Sequence, residues 1–151
     1  MLNVVAGIGA GFLASVLWFD LMFDVQVRGH HEIELPIAVR ESIAAYYRRV
    51  TTDARPMNRL VAAAMLVTLA ALVGEVAGND VRPWAAWPSL ALIAAAVGLA
   101  ASRTVGNAVR LGSRTDDAAQ QSALARRIFR DHLACIAAVG VALILQIVAA
   151  Q

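Results

Sequence analysis

Four long apolar stretches alternate with polar, arginine-bearing segments along the chain. The uncharged runs cover residues 2–19, 60–74, 83–102 and 133–151. A membrane-spanning helix needs roughly 20 mostly apolar residues, with a range of about 17–25. Three runs meet that length as they stand. The second meets it if Arg59 snorkels at one end and residues 75–78 extend the other. The pattern predicts an all-α fold, a polytopic four-transmembrane-helix bundle with helical cytoplasmic extensions. Residues 1–151 form one membrane domain, with spans at about 2–26, 56–78, 83–106 and 131–150 and connections at about 28–55 and 107–130.

Both long connections read as helical. Residues 36–50 carry Ile37, Ile43, Tyr47 and Val50 at helical spacing, with Arg40, Glu41, Arg48 and Arg49 between them. Such a segment can lie on lipid headgroups or stand out as an arm. In the second connection Ser113-Arg114-Thr115-Asp116 matches a capping signature, and no proline or glycine interrupts residues 116–139. The last helix is expected to start near Asp116 and to project about 15 residues, or roughly 22 Å, beyond the membrane. The residues Gly78-Asn79-Asp80-Val81-Arg82 read as a short turn, and Pro83 and Pro88 fall in the first turns of the third span. Gly7 and Gly11 form a GxxxG motif beside Ala6, Ala10 and Ala14, which favours close helix packing, within the chain first and between copies second.

Composition sharpens this picture. The apolar share is 60%, above the roughly 45–50% of soluble domains. All thirteen basic residues are arginine, and twelve of them lie in the two long connections or at the helix ends flanking them; Arg82 stands apart. Short arginine-rich loops stay cytoplasmic. The expected setting is therefore a bacterial cytoplasmic (inner) membrane, with both termini outside. The first run lacks the positive flank and the small-residue cleavage site of a secretory signal. The net charge of +2 accompanies no basic stripe or nucleic-acid motif, so no nucleic-acid partner is expected. Cys135 is single, which excludes an intrachain disulfide, and it reads as a packing residue.

The topology brings distant polar residues to one depth. Asp20, Asp24, Glu34, Arg59, Arg103 and Asn107 all fall at the cytoplasmic ends of helices and form an expected polar cluster. Asp20 and Asp24 are four residues apart, so ionised side chains there repel. Either one is protonated or a cation joins them, and Arg103 is the candidate. The plainer reading is a structural ion pair locking the first helix against the third. His30, His31, His132 and Asp131 form a candidate metal set, because imidazole with carboxylate suits zinc or non-haem iron and two histidines can ligate haem. The facing Glu-x-x-His repeats of metal-binding bundles are missing, and the plainer reading is surface histidines near headgroups. There is no nucleophile elbow and no phosphate-cradling glycine loop. Glu75 and Gln146 are too few to build a polar path across the membrane.

The order of elements resembles the small anthrone-oxygenase-like four-span membrane proteins. The similar parts are Leu35-Pro36 after the first span, Asn58 opening the second and Thr104-Val105-Gly106-Asn107 after the third. The tryptophan-rich end of that family is replaced here by Asp131-His132, and no catalytic residue is carried over.

Three functions follow as expectations. The first is a non-catalytic accessory or binding protein whose helical arms dock lipid headgroups or a protein partner on the cytoplasmic side, as a monomer or homo-oligomer. The second is a metal- or haem-dependent oxidoreductase acting on a lipophilic substrate at the cytoplasmic His/Asp cluster. The third is a small-solute transporter coupled through Asp20.

Overall fold

The computed structural model describes residues 1–78 and 81–151, and among them the only regular elements are helical. Part of the expected turn, Asn79 and Asp80, lies outside the described residues. Six α-helices follow in chain order: α1 (Leu2–Asp24), α2 (Ile37–Arg48), α3 (Arg55–Gly78), α4 (Pro83–Leu99), α5 (Val105–Ser113) and α6 (Ala118–Ala149). Among the described residues four helical stretches are long and apolar enough to cross a membrane: Leu2–Val27, Pro56–Gly78, Pro83–Ser113 and Ala118–Ala149. They form a four-helix bundle in which α1 packs on α3 and α6, and α4 packs on the same two neighbours.

The bundle interior is built from small and medium side chains. Ala6, Ala10, Leu13, Leu72, Ile93, Cys135 and Val139 form its buried centre. The close approach of α1 to α3 does not use the GxxxG residues: a Cβ on Gly7 or Gly11 would meet nothing within 4 Å. Gly9 makes it instead, since a Cβ there would lie 2.1 Å from Thr68 Oγ1. The glycine pattern indicated close packing but not the face, which depends on how α1 is rotated. Near the chain termini, Asn3 Nδ2 donates to Gln146 Oε1 (2.9 Å) and Gln146 Nε2 donates to buried Glu75 (3.1 Å), clasping α1, α6 and α3 together.

The extensions form a second core rather than free arms. Helix α2 turns its apolar side inward, so Ile43, Ala44 and Tyr47 pack with Ala108 and Leu111 of α5 and with Leu124, Ala125 and Ile128 of α6. Gly112 permits this approach. A Cβ there would stand 2.7 Å from the backbone nitrogen of Arg48. Helix α6 starts two residues later than Asp116, with Asp117 as its cap accepting from Gln120 N at 2.8 Å, while Asp116 pairs with Arg110. Its 32 residues are about 48 Å long against a hydrocarbon layer of about 30 Å, so it serves both cores. The third spanning stretch likewise runs past its expected end at 106 to Ser113. Pro83 opens α4, but Pro88 lies inside that helix, beyond the turn where its missing N–H costs nothing.

Two wide, π-helical turns interrupt the helices, Arg49–Asp53 after α2 and Ala100–Thr104 after α4. In the first, Ala54 N reaches back five residues to Arg49 O (2.7 Å). In the second, Thr104 Oγ1 reaches back five residues to Leu99 O (3.3 Å). Such turns strain the regular ladder and recur at functional sites. Both border the cavity described next.

Candidate functional site

Asp20 and Asp24 lie one helical turn apart at the end of α1, facing α2 and α6. The two adjacent tyrosines of α2 point about 100° apart, so each reaches a different aspartate. Tyr47 OH donates to Asp24 Oδ1 at 2.7 Å, and Tyr46 OH donates to Asp20 Oδ1 at 2.6 Å. Phe23 stacks on Tyr46 with ring centroids 4.0 Å apart and fixes that ring. Burial drives the pKa of both phenols upward, and the neighbouring aspartates add to the effect, Asp20 foremost at Tyr46 and Asp24 at Tyr47.

Adjacent Asp131 and His132 diverge on α6 for the same geometric reason. His132 faces α1, with Nδ1 2.7 Å from Asp24 Oδ2 and Nε2 3.9 Å from Asp20 Oδ2. A carboxylate accepts only, so we assign the Nδ1 proton to the Asp24 bond; in the neutral ring Nε2 is then the acceptor. Asp24 is fully buried and takes one hydrogen bond on each oxygen, from Tyr47 and from His132. Asp131 faces the other way. It holds Arg103 in a two-pronged pair and accepts from Thr104 Oγ1 at 3.2 Å.

Some of these side chains border one end of a cavity of about 480 Å³ between α1, α3, α4 and α6. That volume falls in the range of small-molecule sites, about 300–1,000 Å³. Its walls are apolar, with Phe12, Leu17, Val61, Met65, Ile93, Val97 and Val139 among them. Asp20, Tyr46, Tyr47 and His132 line the polar end. Phe19 and Met57, also in the lining, are 61% and 51% exposed, so the cavity reaches the outer face of the bundle between α1 and α3.

The expected clusters are redistributed. Asp20 and Asp24 do meet a partner from a distant helix, but it is His132 with two tyrosines, while Arg103 pairs with Asp131 and ties the end of α4 to α6. The arginine fails to reach α1 because Asp131 lies closer on its own side of the bundle. Glu34 and Arg59 are exposed, and Asn107 is partly buried with Nδ2 unpaired. The proposed metal set is split. His30 and His31 sit in the loop after α1, and His132 and Asp131 turn to different partners. Among the described residues no group of three or more His, Cys, Asp or Glu side chains is arranged to hold a metal ion. Sequence reasoning singles out Tyr47 only as part of an amphipathic pattern and misses Tyr46. Their signal was that the chain's only two tyrosines are adjacent in a charged helix outside the spans.

No family model, no curated protein and no solved structure matches this chain.

Proposed function

We propose that this integral membrane protein binds a lipophilic small molecule carrying one hydrogen-bonding group, with its apolar body in the cavity and its polar end against Asp20 and His132. The observation that carries this reading is an apolar cavity of about 480 Å³ whose polar end is formed by one carboxylate, two phenols and an imidazole, with buried Asp24 behind them. Ligand sites have this composition, mostly apolar walls with a few convergent polar groups. The helical extensions bury their apolar faces against one another, which moves the binding role expected of them to the cavity. We place the protein in a bacterial cytoplasmic membrane with both termini outside, a reading supported by the segregation of twelve arginines to one side.

A second reading, proton-transfer catalysis on the same ligand, is favoured by one detail. With Nδ1 held by Asp24, His132 keeps Nε2 on the side of the cavity as a base, oriented by a carboxylate.

The fluorescence of 1-aminoanthracene, titrated with purified protein in detergent, tests the binding reading. The signal should rise saturably at one site per chain. Val61→Trp, which fills the cavity, should weaken binding at least about tenfold, whereas Val73→Trp on the exposed face of α3 should not. Equal enhancement by both variants would mean that the probe partitions into the micelle and would sink the proposal.

A further inference from the structure

A second concave surface lies outside the bundle, over the seam between α1 and α6. It is lined by residues 27–33, which follow α1, and by Arg126, Phe129 and Arg130 of α6. Arg126 shapes it. Its guanidinium donates to the carbonyls of Ile33 (3.0 Å) and Glu32 (2.5 Å), folding the loop onto α6. Gly29, at φ 82°, lets the chain reverse there. The other cations are unused. Among the described residues neither the Arg28 nor the Arg130 guanidinium has an ion-pair or hydrogen-bond partner, and the same holds for the rings of His30 and His31. Three arginines face the groove against the single acid Glu32, so its charge is positive.

Depth and surroundings narrow the ligand. Arg28 is the first residue after the spanning stretch Leu2–Val27, which puts the groove at headgroup level. Below Arg130, α6 presents Leu133, Val141, Ile144 and Val148 on its exposed side, and α1 presents Trp18, Met22 and Val25 on its own. Unpaired arginine forks match phosphate oxygens, and the exposed apolar seam below matches acyl chains. Basic pockets beside spanning helices take anionic headgroups in this way.

We infer that the groove formed by Arg28, His30, His31, Arg126 and Arg130 is a binding site for the phosphate of an anionic phospholipid, whose acyl chains run along the α1–α6 seam. The site is distinct from the cavity and does not depend on its reading. Arg28 and Arg130 grip the phosphate, and Arg126 holds the loop that carries the imidazoles.

Native mass spectrometry of the detergent-solubilised protein tests this with three probes: dioleoyl phosphatidic acid, dioleoyl phosphatidylcholine and inorganic phosphate. The phosphatidic acid should form a one-to-one adduct in preference to phosphatidylcholine. Arg28→Gln with Arg130→Gln should weaken it on the order of 30-fold, from the loss of two cations near the surface. The control pair Arg49→Gln with Arg82→Gln removes the same charge outside the groove and should change binding less than about threefold. Equal weakening by both pairs would reduce the effect to net charge and overturn the site. Equal binding of phosphatidylcholine would overturn the anionic preference. Complete displacement of the lipid by millimolar phosphate would make free phosphate the ligand and overturn the lipid assignment.

Discussion

Removing the Tyr47 hydroxyl tests whether Asp24 is held as a buried carboxylate. The bond is 2.7 Å long, Asp24 is fully buried and Tyr47 is 2% exposed, so water neither screens the interaction nor replaces it. Neutral hydrogen bonds between helices in membrane proteins average about 0.6 kcal/mol and reach about 1.7. Bonds to a charged group contribute about 1.5–3 kcal/mol. Tyr47→Phe should therefore destabilise the fold by about 2 kcal/mol. Asp24→Leu leaves both Tyr47 and His132 without their acceptor and should cost about 3–5 kcal/mol. In the double variant one of those orphaned donors is gone, so the two effects should fall short of additivity by about 1.5–3 kcal/mol. Unfolding by SDS in mixed micelles, followed by tryptophan fluorescence, measures all four proteins. A coupling of about 0.5 kcal/mol or less would refute the charge-assisted bond, because that magnitude belongs to a neutral pair.

The tight α2–α5 crossing predicts that Gly112→Ala, which forces backbone against backbone at Arg48, costs about 1–3 kcal/mol in thermal or SDS unfolding. Gly106→Ala on the same helix meets nothing within 4 Å, so it should be neutral or stabilising by up to about 1 kcal/mol; an equal loss in both would refute the crossing. Both tyrosines of the chain hold raised pKa values, so tyrosinate absorbance should be absent from the folded protein at the ordinary pKa of 10.0. The folded chain keeps these protons to higher pH than the unfolded chain, so the associated stability is complete below pH 10.0 and is lost as pH rises above it. An absorbance step near pH 10 with the helices intact would show that the phenols are accessible to solvent. Gly9→Leu should separate α1 from α3 and lower the unfolding temperature, whereas Gly11→Leu, which faces open space, should leave it nearly unchanged.

The four spans were legible because uninterrupted apolar runs need no partner to declare themselves, and α6 was legible as one long helix because nothing in it breaks the pattern. The contacts were less so. Whether Gly7 or Gly9 meets α3 depends on a rotation of α1 that a run apolar on all sides does not encode. Arg103 had two acidic candidates at the same depth, and only the placement of α4 against α6 selects Asp131 over Asp24. His30 and His31 follow Asp24 closely in sequence, yet the reversal at Gly29 carries them to the outer surface. The tyrosines were hardest to read, because their acidic partners lie 26 and 23 residues away and the docking of α2 brings them together.

That docking explains where the polar cluster sits. Ionisable groups are costly at the centre of a bilayer, and the cost falls toward its edge. Asp20, Asp24 and His132 lie near the ends of their spans, where α6 passes from Ile128 in the second core to Cys135 in the first. At that depth a helix outside the spans can supply the missing donors, and α2 supplies two. Tyr47 belongs to the second core through its ring and to the cavity's polar end through its hydroxyl. The aspartates are thus satisfied only while α2 is pressed onto α5 and α6. Gly112, which allows that pressure, lies outside the cavity lining yet sets the reach of the hydroxyl that closes it. The apolar bundle holds the cavity's walls, and the smaller core beyond the membrane holds its chemistry in place.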